Sequence, residues 1–70
     1  MNILNKTDEE IGRAIKAARV LKGLNQNELS KKSGVCRSTI QKAERGGRLT
    51  LTSIIKLSEV LGSELERMIQ

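Results

Sequence analysis

The stretch KGLNQNELSKKSGVCRSTIQKAERGG, residues 22–47, decides the fold of this chain. Asn25 followed by Glu28 three residues later is a capping-box pattern, in which each side chain bonds the other residue's backbone N–H and starts a helix. Gly34 is placed to end that helix in a left-handed conformation, and the glycines at 46 and 47 end a second one. The stretch therefore predicts two short helices joined by a turn of three or four residues.

Caps and apolar spacing predict further helices on both sides of this stretch. Thr7 with Glu10 opens a helix ahead of it, and apolar residues recur there at helical spacing: Ile11, Ala14, Ile15, Ala18 and Leu21. Thr50 caps a helix after it, and Gly62 ends that helix. Its apolar face is wide: Leu51, Ile54, Ile55, Leu57 and Leu61. A last helical segment follows over residues 63–69, and we therefore predict a compact, all-α, five-helix domain without strands.

The chain divides into a short tail and one domain. We expect residues 1–7 to form an N-terminal tail and residues 8–70 to form the domain, with the two-helix motif at about 26–45. Seventy residues allow one modest aliphatic core, and there are no repeats or linkers that would mark a second unit. We expect no small-molecule ligand domain in a chain of this length.

Composition excludes several kinds of site. The chain has no His, Phe, Tyr or Trp and one Cys. Without histidine it lacks the commonest general base and metal ligand, and without aromatic rings it cannot stack unpaired bases. We therefore expect no enzymatic activity, no metal and no cofactor. No apolar run nears the roughly 20 residues of a membrane span, and the first ten residues lack the character of a signal peptide, so we expect no membrane contact and a cytoplasmic protein.

Positive charge is concentrated in the middle of the chain. The formal net charge is +5, but residues 11–48 hold ten basic side chains against Glu28 and Glu44, a net +8. A concentrated positive segment favours a polyanionic partner, because neutralising phosphates releases condensed counterions. A solubilising surface gives the same pattern, so charge by itself leaves both interpretations open.

Residues 22–47, together with LTSIIKLSEVLG at 51–62, resemble the phage repressor and Cro type of helix-turn-helix regulator, also called the xenobiotic response element (XRE) family. The resemblance covers about residues 11–69. It implies a lambda-repressor-like DNA-binding domain, encoded by a bacterium or a phage. The expected partner is double-stranded DNA, with the helix at about 37–45 lying in the major groove.

Helical projection of residues 37–45 separates an apolar side from a polar one, and the polar side has donors suited to base edges. With the resemblance, it gives the candidate base-reading residues Arg37, Ser38, Gln41 and Lys42. In the family, the glutamine that starts the preceding helix bonds a phosphate and braces the recognition helix. The candidate phosphate-binding residues are Asn25, Gln26, Thr39, Arg45 and Lys16.

The family also places an ion pair between the positions of Arg19 and Glu44. Each lies at the edge of an apolar helical face, where a charged side chain needs a partner. We therefore expect a structural ion pair that orients the recognition helix. Cys36 occupies the start of that helix, where the family usually has Ser or Thr. It is either a small residue without special chemistry or a redox-sensitive thiol.

One helix reads few base pairs, so we expect a repressor that binds an inverted repeat as a homodimer. By analogy with the family, the possible dimer interface includes Leu49, Arg67 and Met68. The alternative is an antitoxin or a protein-interaction subunit, which uses the same fold to bind a partner protein such as a toxin and to regulate its own operon.

Overall fold

The structure, a computed structural model, describes residues 6–69 and consists there of four helices without strands. The helices are α1 (Asp8–Leu21), α2 (Gln26–Ser33), α3 (Arg37–Glu44) and α4 (Leu51–Ile69). The predicted all-α class is confirmed, but the count of five helices is not, because the last two predicted helices form one element. Residues 1–5 of the predicted tail and residue 70 lie outside the described residues.

Two capping boxes start α1 and α2, as their sequences predict. The Thr7 hydroxyl accepts from the Glu10 N–H at 3.1 Å, and the Glu10 carboxylate accepts from the Thr7 N–H at 3.0 Å. Asn25 and Glu28 exchange the same pair of bonds at 2.8 and 2.9 Å. Local sequence therefore sets where both helices begin.

Glycines with positive φ turn the chain after α2 and bend it within α4. Gly34 has φ 79° and ends α2 as predicted, so that three residues separate α2 from α3. Gly62 has φ 53° and ψ −130°, which are not helical values, so two helical segments of α4 meet there at a kink. The first of these segments therefore stops at Gly62, where the sequence predicts its end.

The core is aliphatic and draws on all four helices. Ile15, Leu29, Ile40, Leu57, Leu61 and Leu65 are its largest fully buried side chains. α1 packs against both α3 and α4, and α2 packs against the same two helices. No helix among residues 6–69 is long and apolar enough to cross a membrane.

Three residues expected on inward faces are exposed instead. Leu21 at the end of α1 is 59% exposed, and Leu51 and Ile55 in the first turns of α4 are 58% and 53% exposed. Helical spacing gives the direction of a side chain but not the extent of the neighbouring surface. Within the part of the chain described, no helix covers these two places.

Candidate nucleic-acid interface

α3 presents a continuous polar face to solvent. Ile40 and Ala43 are completely buried on its inner side. The four candidate base-reading residues lie outside this apolar side. Arg37, Ser38 and Lys42 are exposed and Gln41 is half-buried. Their donors and acceptors are therefore accessible to a ligand laid along α3.

The three-residue turn holds α3 against α2. Val35 in the turn is 4% exposed and belongs to the core. The N–H of Val35 donates to the Ser33 hydroxyl at 3.1 Å. Cys36 precedes α3 but makes no side-chain capping bond, and it is exposed. The turn is thus fixed by Gly34 and by burial of Val35, and not by a cap on α3.

The N-terminus of α2 supplies two of the candidate phosphate-binding residues. Asn25 is exposed, and its side-chain oxygen accepts from the Glu28 N–H, which leaves the amide group as its available donor. Gln26 follows as the first residue of α2. Unpaired N–H groups and the helix dipole make such a position favourable for an anion.

Arg19 and Glu44 form the predicted ion pair between α1 and the end of α3. The Arg19 Nε donates to Glu44 Oε2 at 2.8 Å, and Nη2 donates to Oε1 at 3.0 Å. The side chains are 12% and 6% exposed. The third nitrogen, Nη1, donates to the Leu24 carbonyl at 2.9 Å. The hydrogen bonds to Glu44 raise the pKa of Arg19 above its ordinary value.

Gln26 also bonds Glu44, a partner that the sequence analysis did not name for the expected bracing of the recognition helix. Its Nε2 donates to Glu44 Oε1 at 3.2 Å. Glu44 therefore joins the first residue of α2 to the last residue of α3, and Arg19 adds α1 to the same network. Side-chain spacing along the chain gives no signal for this bond, because it links residues 18 positions apart.

Gly12 is a second feature that the sequence analysis left without a role. A Cβ atom built on Gly12 would collide with the carbonyl oxygen of Ala43, because the backbone of α1 lies directly on the end of α3. An isolated glycine within a helical pattern is the sequence signal for such a close approach. The close contact at Gly12 and the ion pair of Arg19 therefore both hold the C-terminal end of α3 against α1.

The remaining candidate phosphate-binding residues lie around this contact between α1 and the end of α3. Lys16 is exposed on α1, and at about 100° per residue it projects about 40° from Gly12, on the side of Gly12 away from Arg19. Arg45 is exposed immediately after α3, and Thr39 is half-buried within it. These positions follow the side of the molecule that carries α3 and the N-terminus of α2.

The residues considered for a dimer interface lie near the two ends of α4 in the chain, and their pairing stays a prediction. Leu49 is half-buried and packs against the core between α3 and α4. Arg67 and Met68 are exposed in the last turn of α4, at the far end of that helix from Leu49. Met68 lies instead beside α1, where it lines a groove with Ala17.

α2 and α3 are two short helices joined by a tight turn. The apolar side of α3 packs against the core, and its polar side is exposed. This arrangement defines a helix-turn-helix domain. The sequence model of a helix-turn-helix family matches residues 15–68. The chain belongs to the Cro/repressor-type (XRE) helix-turn-helix family, a family of DNA-binding regulators. A comparison with curated proteins finds no match. The family match supports DNA as the partner and does not favour the antitoxin alternative.

Proposed function

We propose that the protein is a transcriptional repressor that binds an inverted-repeat operator as a homodimer, with α3 in the major groove of each half-site. The observation that supports this most directly is the exposed polar face of α3, which lies beside the N-terminus of α2 and is braced by Glu44. A rigid helix with accessible donors is what direct reading of base edges requires.

The residues divide into those that read bases and those that position the protein. Arg37 and Lys42 are suited to guanine, Gln41 to adenine, and Ser38 to either. Contacts from Gln26, with Asn25, Thr39, Arg45 and Lys16, fall on phosphates and set the register of α3 without specifying sequence.

The Gln26 side chain can bond Glu44 and a DNA phosphate at the same time. One Nε2 hydrogen is bonded to Glu44 at the end of α3, and an amide nitrogen has a second hydrogen to donate. A phosphate that takes this second hydrogen is tied through Glu44 to Arg19. The position of this phosphate site relative to α3 is therefore already fixed in the free protein, which reduces the conformational entropy lost on binding.

The size of the domain supports a homodimer. Its Cα atoms extend 27 Å along the longest axis and it carries a single α3, whereas successive major grooves on one side of a duplex are roughly 34 Å apart. One copy therefore reads one half-site. Exposed Leu51 and Ile55 at the start of α4, next to Leu49, offer an apolar surface for the second copy. Arg67 and Met68, in the last turn of α4, stay a separate prediction from the family resemblance.

The test is binding to the DNA upstream of the protein's own gene, measured by fluorescence anisotropy over a series of salt concentrations. We expect tight binding to a palindromic segment, with affinity that falls steeply as salt rises because phosphate contacts release counterions. Equal affinity for random duplexes would contradict the proposed sequence specificity.

Variants separate base reading from positioning. Lys42→Ala should reduce discrimination between operator and random DNA, at a cost of about 1–3 kcal/mol on the operator. Gln26→Ala should weaken binding to both DNAs by similar factors. Lys32→Ala is the matched control, since Lys32 is an exposed lysine in a groove between α2 and α4 and should leave both affinities nearly unchanged.

A further inference from the structure

A shallow apolar groove between α1 and the end of α4 shares one lining residue, Lys16, with the candidate nucleic-acid interface. Val20 and Met68 are 61% and 39% exposed, and Leu21 is exposed as well. These side chains line the groove together with Ala17. We call these four residues the α1/α4 patch. Clustered exposed apolar side chains mark interaction sites more often than free surface.

Two of the four patch residues lie on the side of α1 away from α3. Gly12 marks the side of α1 that touches the end of α3. At about 100° per residue, Leu21 projects on the opposite side of the helix and Ala17 nearly so. None of the candidate base-reading residues of α3 lines this groove.

Basic side chains border the patch. Arg13 and Lys16 line the same groove, and Lys6 lines its continuation towards the start of α1. None of these three cations forms a salt bridge with another described residue. Glu10 also lines the continuation, so three cations there face one carboxylate and the border keeps a net positive charge. The border therefore attracts acidic groups.

We propose that the α1/α4 patch binds an amphipathic helix of a partner protein, with apolar side chains of that helix on Val20, Leu21 and Met68 and acidic side chains against Arg13. Apolar anchors in a groove with complementary charges at its rim are the usual means of recognising such a helix. A second copy of this chain is a poorer occupant, since a two-fold contact would bring Arg13 and Lys16 close to the same cations of the other copy.

The test uses the full chain, labelled with ¹⁵N, and a synthetic amphipathic helical peptide with leucines on one face and glutamates flanking them. We expect saturable shift changes centred on the α1/α4 patch, both in the free protein and in its complex with DNA. Val20→Glu should weaken peptide binding at least about tenfold. Arg13→Ala should weaken it about fivefold.

Two matched controls accompany this titration. Ile55→Glu places the same charge on an exposed β-branched residue at the other end of α4 and should leave the peptide affinity unchanged. A peptide with lysines in place of the glutamates should bind at least about tenfold more weakly.

Four outcomes would overturn the proposal: no peptide binding, shift changes centred elsewhere, equal binding of the two peptides, or an Ile55→Glu effect as large as that of Val20→Glu. Nuclear Overhauser contacts between the patch and residues 1–5 would also overturn it, because the occupant would then be the chain's own N-terminus. Self-association abolished by Val20→Glu would equally contradict it. DNA binding is measured separately, so failure here leaves the proposed regulator function untouched.

Discussion

Glu44 is the residue at which three helices meet. It ends α3, and its carboxylate accepts bonds from Arg19 of α1 and from Gln26 of α2. A carboxylate with 6% exposure is stable only with such donors, because burying an unpaired charge costs several kcal/mol. The same bonds that satisfy the buried charge also position the candidate phosphate-binding glutamine.

Replacing Glu44 by glutamine should destabilise the domain by about 3 kcal/mol, because Arg19 is left buried without a counter-charge. For a domain of this size that corresponds to a fall in Tm of more than about 10 °C. Thermal unfolding followed by circular dichroism measures it. The double variant Arg19→Met with Glu44→Leu should lose less free energy of unfolding than the sum of the losses in the single variants Arg19→Met and Glu44→Leu. A Glu44→Gln protein that melts within a degree of the wild type would contradict the assignment.

Gly12→Ala tests the contact between α1 and α3 at a single atom. Helix propensity by itself predicts a gain of about 1 kcal/mol for this change. The added Cβ collides with the Ala43 carbonyl, and we expect a net loss of about 2 kcal/mol, since backbone must move to relieve the overlap. The two effects have opposite signs, so a rise in Tm would show that the helices are not in close contact.

At the scale of elements, the capping boxes and the turn glycine act locally, whereas α3 depends on its neighbours. α1 and α2 start on reciprocal hydrogen bonds, but α3 has no side-chain cap at Cys36. Its eight residues are too few to be stable alone. Burial of Ile40 and Ala43 and the bonds to Glu44 therefore hold α3 in place.

The capping box of α1 predicts how the stability of the fold depends on pH. The hydrogen bond from the Thr7 N–H, with smaller contributions from the Thr7 side chain, lowers the pKa of Glu10 below 4.5. A lowered folded-state pKa stabilises the fold at neutral pH, and that stability is lost as pH falls through the folded value. Glu10→Gln should therefore be less stable than wild type at pH 7, with the difference shrinking below about pH 4.

Urea unfolding at a series of pH values measures this difference. Glu9→Gln is the matched control, because it removes a carboxylate from the same turn without touching the capping box. A constant difference between wild type and Glu10→Gln across the series would contradict the role given to this carboxylate.

At the scale of the whole molecule, two exposed apolar places lie at opposite ends of α4, and we propose a different occupant for each. Leu51 and Ile55 belong to the proposed homodimer, and Met68 belongs to the α1/α4 patch. Neither place includes a candidate base-reading residue of α3. The domain can therefore combine DNA reading with two separate contacts to protein.

Ile55→Glu should weaken binding to a full inverted repeat at least about tenfold while leaving the affinity for an isolated half-site nearly unchanged, because only the contact between copies is affected. Fluorescence anisotropy on the two duplexes measures the ratio of the affinity for the full repeat to the affinity for the half-site. Val20→Glu introduces the same charge at the other exposed place and should not change the ratio. Equal losses on both duplexes would show that Ile55 acts within one copy.

Whatever depends on near neighbours in the chain is determined by the sequence itself. The starts of α1 and α2, the left-handed turn at Gly34 and the polar side of α3 follow from residues within about four positions of one another, because helical hydrogen bonds and caps act over that range. The family resemblance added the pairing of Arg19 with Glu44, which spacing does not predict.

Only the tertiary structure decides what lies on each outward surface. It leaves Leu21, Leu51 and Ile55 exposed and joins Gln26 to Glu44. Each of these depends on which helix packs where, since the same helical spacing gives a buried face or an exposed patch according to the neighbour it meets.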